Sequence, residues 1–386
     1  MAEYKLKLVA IYYGTPQSGV NKKVIYQVQG LAKNGINAEV LFLGNQGEKD
    51  VFEHEFIKFL PTQSPPYKSF IDKLNAIRSL KQSYQKVLLE GDDNEIIYLR
   101  NYVPARWFYK ALQKTKKKVI LEILSNNFQE ALWRKSYFYY LSLCLYHRAI
   151  LKNVNLIIGV TSEVIYKHFN PEKYGVSKMV IGNGIKVEAV PLRKKTTDTD
   201  NAVFNFTCVA ELSPPHGVDR LLRGLQNYTD RDNVILHIVG RGSEFQNLKN
   251  LAEELALSNV VFHGFLSGEK LDDILEQTDL AIGALAIHRS NIIYSSILKA
   301  REYCARGIPF VNSGKDEEFP ESFPYVHAIE SAETPVEIAP LVEFVKRVVE
   351  IPGYKQNMRT YATDVLSWDV KMNTLAQFIK KEWIAE

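Results

Sequence analysis

Val234-Ile235-Leu236-His237-Ile238-Val239-Gly240-Arg241-Gly242-Ser243-Glu244 is a β-branched run that halts at two glycines and passes into Ser243–Leu257, where apolar residues recur at three and four spacing. A short strand of the buried kind, a tight turn and an amphipathic helix, in that order, make half of a βαβ unit. The rhythm repeats outward from it. Asn205–Val209 leads into the helical pattern Val218–Tyr228, and Val260–Phe265, Leu280–Leu285 and Pro309–Asn312 follow, with Ser295–Ala305 between the last two. Upstream lie Lys5–Tyr13, Asn37–Leu43, Glu95–Leu99, Lys118–Leu124 and Asn155–Val160, each followed by a longer helical segment. The alternation predicts an α/β protein of two Rossmann-like, doubly wound domains facing each other across a cleft. The polar stretch Arg193–Asn201 separates them, placing the first domain at 1–195 and the second at 202–368.

Composition agrees with two soluble domains: 386 residues, 46% hydrophobic, 24% charged and 11% aromatic. Disordered and collagen-like classes are excluded, and a net charge of +4 gives no global field for nucleic acid. That balance hides a split. Residues 1–195 hold 30 Lys+Arg and 16 Asp+Glu, a charge of +14, while the rest hold 18 and 28, a charge of −10. Cys144, Cys208 and Cys304 are far apart and lack metal-ligand spacing, so neither a disulfide scaffold nor a zinc site is expected. Met1-Ala2-Glu3-Tyr4-Lys5 runs into a strand without a signal-peptide pattern, and no apolar run reaches the length of a spanning helix. A cytoplasmic location is the expectation.

Ligands of open parallel sheets bind beyond the carboxyl ends of the strands, so the loops there carry the candidates. Gly14-Thr15-Pro16-Gln17-Ser18-Gly19-Val20 opens a helix and is either a plain turn or a cradle of backbone N–H groups for an anion. Glu211-Leu212-Ser213-Pro214-Pro215-His216-Gly217 precedes another helix, with His216 either a cap or a phosphate neighbour. Gly240-Arg241-Gly242 presents an Arg fork that suits a phosphate or a base, or simply faces solvent. It is not a dinucleotide fingerprint, because Phe245 occupies the third glycine position. In Ala286–Pro309, Ser295 or Ser296, Lys299 and Glu302 fall on neighbouring helical turns, where hydroxyl, ammonium and carboxylate can face one sugar nucleotide. The bland alternative is a surface Lys299–Glu302 pair. Asp92-Asp93 lies in a polar loop and reads as solvated, so no metal site is expected.

Taken together, Ser18-Gly19-Val20, Asn183-Gly184-Ile185, Leu212…His216-Gly217, Val239-Gly240-Arg241-Gly242, Phe262-His263-Gly264 and Ser296-Ile297-Leu298-Lys299…Glu302-Tyr303…Gly307-Ile308-Pro309 resemble the retaining glycosyltransferases of the B fold. The likeness is to the family-4 type that builds bacterial surface polysaccharides, and it is densest from Val209 to Asn312. It implies a nucleotide-diphosphate-sugar donor, no further cofactor, and retention at the anomeric carbon. Glu302 matches the carboxylate on the donor ribose, Ser296 and Lys299 match residues near the diphosphate, and Gly19 and Val20 match a phosphate loop of the first domain. His216 and Gly217 stand in the first loop of the second domain, while Gly240, Arg241, Gly242 and Phe265 match the walls around the base. The sequence departs from the family pattern at Tyr294, where a second Glu is usual, at Glu211 and His216, where an Arg and a Lys are usual, and at Arg100-Asn101, where a His is usual. Arg289, Lys299 or Arg241 must then supply the positive charge, and no general base is assigned. The resemblance also implies that the chain end, 369–386, crosses back onto the first domain.

Residues 100–195 hold 18 Lys+Arg against 5 Asp+Glu, and Trp133–Arg148 is aromatic between cations. This predicts either a buried helix or a surface for an anionic bilayer, as a polyprenyl-diphosphate-linked acceptor requires. A nucleotide-sugar epimerase, a two-domain binding protein and a transferase that binds without turnover are the rival readings.

Overall fold

The computed structural model describes residues 4–12, 16, 18–45, 47, 54–62, 69–133, 135–169, 171–197 and 203–384. Of the first glycine turn, 13–15 and 17 lie outside the described residues, as do Arg134 and 198–202 of the polar linker. The chain divides into two compact units, Met1–Gly182 with Trp368–Glu386, and Asn183–Ser367. The division therefore falls earlier than the polar stretch at 195. Asn183–Lys195 is tied into the second unit: the Asn183 amide donates to Ser296 Oγ at 2.7 Å, Ile185 forms a bridge with Ser367, and Arg193 donates to Asp279 at 3.3 Å. Arg193 is buried, so it is a structural cation rather than a solvated linker charge.

In the first unit seven parallel strands run in the order β3-β2-β1-β4-β5-β6-β7. They are β1 (Lys5–Ile11), β2 (Asn37–Leu43), β3 (Ile57–Leu60), β4 (Ile96–Leu99), β5 (Lys118–Ile123), β6 (Leu156–Gly159) and β7 (Ser177–Val180). β4 and β6 are buried throughout, which is why they read as unbroken apolar runs. One face of the sheet packs against helix Gly19–Lys33 and the C-terminal helix Trp368–Ile379, whose Trp368, Met372, Leu375 and Ile379 join Val24, Val28 and Leu31 in one core. The other face is covered by helices Phe70–Leu89, Arg106–Lys114 and Tyr137–Leu151. Strand order reverses between β1 and β4. Beside that point Arg100 is buried within 3.7 Å of Glu122, which also holds the buried Lys23 at 2.9 Å. Burial pushes the Lys23 ammonium down to about 8.

The second unit is a six-stranded parallel sheet ordered β10-β9-β8-β11-β12-β13. Its strands are β8 (Phe204–Val209), β9 (Val234–Val239), β10 (Val260–Gly264), β11 (Leu280–Ile282), β12 (Phe310–Ser313) and β13 (Val326–Ile329). Here the order reverses between β8 and β11. Helices Val218–Asn227, Phe245–Glu254, Glu269–Gln277 and Leu298–Arg306 connect the strands through a single apolar core.

Candidate functional site

The switch point of the second sheet is assembled by backbone. Past β8 the chain makes the tight turn Pro214–His216, and past β11 it passes beside that turn, with Leu285 N–H donating to His216 O at 3.0 Å and Ala286 N–H to Pro215 O at 3.1 Å. Gly217 sits at φ +61°, and a Cβ there would lie 2.9 Å from the Ala286 nitrogen, so only glycine lets helix Val218–Asn227 start at this spot. On the other side of β8, Gly240 has φ +129° and its missing Cβ would stand 1.8 Å from Ala210 O. The Gly242 site is equally closed by Leu212 O, at 2.2 Å. These glycines are demanded by the close meeting of the loops after β8 and β9. Arg241 between them is exposed and lies 3.7 Å from where a Gly264 Cβ would be, while Phe265, at the end of β10, is 71% exposed. An exposed aromatic residue and an exposed arginine thus follow the carboxyl ends of the neighbouring strands β10 and β9.

Lys299, the second residue of helix Leu298–Arg306, has its Nζ enclosed with no hydrogen-bond partner among the described residues. Burial holds its pKa below the ordinary lysine range, and the buried Cys208 thiol at the end of β8 is its opposing influence. The same ammonium acts on His216. Burial first and the Lys299 charge second push that imidazole down to about 3, so it is neutral at physiological pH. Its Nδ1 accepts from the Ser213 N–H at 3.3 Å, which leaves the ring proton on Nε2. A buried cation without an anion is costly, and a ligand bearing negative charge removes that cost.

Other predicted residues are engaged elsewhere. The structure starts the helix at Leu298, not Ser295, because Ser295 N–H bonds to Lys315 O at 2.9 Å and Ser296 Oγ accepts from Asn183. Ser296 thus fastens the segment that enters the unit. Arg289 spends its guanidinium on Asp219, at 2.9 and 2.8 Å, on Glu333 at 2.9 Å and on Pro214 O at 3.0 Å. These carboxylates raise its pKa further, and they leave it braced across the loops rather than held for an anion. Glu302 does not pair with Lys299. It accepts from Arg306 Nε at 2.9 Å, and Arg306 also holds Asp272 at 2.5 Å. Gly19 and Val20 begin their helix in the first unit behind the Ser18 cap, which accepts from Asn21 N–H at 3.1 Å. A Cβ on Gly19 would meet nothing within 4 Å, so packing does not require this glycine. Arg100, at the position where the resemblance leads to the expectation of a His, is turned into the core on Glu122.

Two cations were invisible as structural residues. Arg220 is buried and donates to the carbonyls of Leu285, Glu330 and Thr334, the last at 2.7 Å, so it is not a surface charge. Arg301, wholly enclosed, pairs with Asp316 and Glu318 and donates to Asn183 O at 3.0 Å. Among the described residues no group of three or more His, Cys, Asp or Glu is placed to hold a metal ion.

Residues 193–286 match the family described as Glycosyl transferases group 1. No curated protein sequence matches the chain. Among solved structures it is similar to sucrose-phosphate synthase from Thermosynechococcus elongatus, at 15% identity and a TM-score of 0.73 over 99% of this chain and 100% of that one. It is similar to Anabaena HepE in complex with UDP and glucose, at 15% identity and a TM-score of 0.65 over 97% and 99% of the two chains. The pneumococcal O-GlcNAc transferase GtfA in complex with UDP and GlcNAc aligns at 11% identity and a TM-score of 0.63 over 99% of each. The fold is that of the B-type glycosyltransferases, as the sequence predicts.

Proposed function

We propose that the protein is a retaining glycosyltransferase that moves a sugar from a nucleotide-diphosphate sugar, held at the switch point of the second unit, to a saccharide or polyprenyl-diphosphate-linked acceptor. The observation that carries this reading is the enclosed, unpartnered Lys299 ammonium beside a neutral His216. Together with the start of helix Leu298–Arg306 it suits a diphosphate leaving group. The bond from the anomeric carbon to the phosphate oxygen breaks as the acceptor oxygen approaches from the same face, and the acceptor proton passes to that phosphate oxygen. Lys299 and the His216 Nε2–H stabilise the charge that develops, so no side-chain base and no metal are used. Glu302, steadied by Arg306, accepts from the ribose hydroxyls, and Gly240–Gly242 and Phe265 receive the base. Arg289 drops out of the donor set.

Two structurally similar proteins carry UDP, which makes uridine diphosphate the first nucleotide to test. The protein works in the cytoplasm at the inner face of the membrane, without nucleic acid. No described helix is long and apolar enough to cross a bilayer. Melting curves against uridine, guanosine and adenosine diphosphates and their sugar conjugates test the reading, with Glu302→Ala alongside. One nucleotide family should stabilise the wild type and not the variant. Folded protein that binds none of them supports the alternative, a transferase homologue that binds a partner without turnover.

A further inference from the structure

The face of the first unit opposite the C-terminal helix is a layer of three helices on one core, with Arg106–Lys114 packed between Phe70–Leu89 and Tyr137–Leu151. Ring contacts fix that order: Tyr84 lies 5.1 Å from Phe108, and Tyr109 lies 6.1 Å from Tyr146. The inner faces supply the core. The outer faces are patterned as well. On Tyr137–Leu151, Phe138 is 84% exposed and shares an open stripe with Tyr137, Leu141 and Leu145. On Phe70–Leu89, Ile71, Leu74 and Ile77 are exposed at three-residue spacing. Between the stripes, Arg106, Lys110 and Lys114 stand at four-residue spacing on the solvent side of the middle helix. The three helices contain eight Lys or Arg and one acidic residue, Asp72, and none of the eight has a carboxylate partner among the described residues.

Apolar side chains at helical spacing are what a fold ordinarily buries, and two parallel stripes of them mark a contact surface. The cations between decide what covers it. A second copy of the chain would bring the same unpaired row of Arg106, Lys110 and Lys114 against itself, because a two-fold contact is self-complementary in position but not in charge. The occupant must be apolar and anionic at once. We infer that this three-helix face docks on an anionic phospholipid bilayer, with Phe138, Leu141 and Leu145 at the headgroup boundary and Arg106, Lys110 and Lys114 on lipid phosphates. This rests on the proposed lipid-linked acceptor for its purpose, while its test needs no transfer activity.

Cys144 is exposed between Leu141 and Leu145, whereas Cys208 and Cys304 are buried, so a polarity-sensitive fluorophore can be placed on this face alone. The labelled full-length protein is mixed with vesicles of phosphatidylglycerol and phosphatidylcholine, or of phosphatidylcholine alone. Unlabelled protein is sedimented with the same vesicles. The expected result is a blue shift and co-sedimentation with the anionic vesicles only, weakened by salt. Phe138→Ser/Leu141→Ser/Leu145→Ser and Arg106→Glu/Lys110→Glu/Lys114→Glu should each lower partitioning about tenfold or more while melting as the wild type does. Wild type left in the supernatant overturns the inference. So does binding that both triple variants retain, or a blue shift that appears at high protein concentration without vesicles and so reports self-association. Nucleotide binding is measured on the same samples: its loss with docking intact defeats the transferase reading alone, and the reverse defeats docking alone.

Discussion

Replacing Lys299 by Met separates a binding cation from a structural one, because the two roles push stability in opposite directions. In the free protein the Lys299 Nζ is enclosed without a partner. A buried, unsatisfied donor costs about 1–3 kcal/mol, and Met fills similar space without it. The variant should therefore melt higher by about 2–12 °C, at about 2–4 °C per kcal/mol for a unit of this size. With a nucleoside diphosphate the sign reverses. Losing a charge-assisted hydrogen bond to phosphate weakens binding by about 100-fold. Ligand at 100 times the wild-type dissociation constant stabilises wild type by about 2.7 kcal/mol, but the variant, then at its own dissociation constant, by only about 0.4 kcal/mol. Paired melting curves with and without uridine diphosphate read both effects. A variant that melts lower when empty, and gains as much from nucleotide as wild type does, would refute the assignment of Lys299 to the ligand.

Gly240→Ala forces a Cβ into Ala210 O, 1.8 Å away, at a φ of +129°; it should cost about 3 kcal/mol or more, seen as a lower melting temperature together with lost nucleotide stabilisation. Arg289→Ala should shift stability by about 1 kcal/mol or less and leave the nucleotide dissociation constant within about threefold, since its partners are Asp219 and Glu333; calorimetric titration checks this, and a large loss of affinity would return Arg289 to the donor site. The folded His216 titrates near 3 and an unfolded one near 6.5, so between these values the unfolded chain binds the extra proton. Its contribution is complete above pH 6.5 and is lost as pH falls toward 3, by about 2 kcal/mol at pH 5; denaturant titrations at pH 7 and 5 should show this slope in wild type and less of it in His216→Asn.

Much of the fold was legible because strands buried on both faces must be apolar throughout. Asn37–Leu43 and Val234–Val239 are read from the chain with the bounds the structure has. The strands that escaped notice, Ile57–Leu60, Ser177–Val180 and Val326–Ile329, are sheet edges or partly exposed, and half-solvated backbone imposes no apolar run. Helix Leu298–Arg306 starts three residues later than its periodicity suggests, since Ser295 and Ser296 answer to Lys315 and Asn183, partners remote in sequence. Lys299 and His216 could be singled out from their places beside helix starts. That Arg289 is already committed could not, because its carboxylates lie 70 and 44 residues away. Arg301 and Arg220 were hidden because their partners, the Asp316 and Glu318 carboxylates for one and the carbonyls of Leu285, Glu330 and Thr334 for the other, lie on loops remote in sequence and leave no local pattern.

The C-terminal helix, Trp368–Ile379, shares its core with the first strands of the chain. On the ribosome, the inserted unit Asn183–Ser367 emerges with every strand of its sheet and can close while translation continues. The first unit, begun earlier, must wait with one face of its sheet covered by helix Gly19–Lys33 alone until Trp368–Ile379 is made. The half of the protein that is synthesised first is thus the half that finishes last, and a stop codon ahead of Trp368 would spare the second unit while leaving the first without one of its two covering helices.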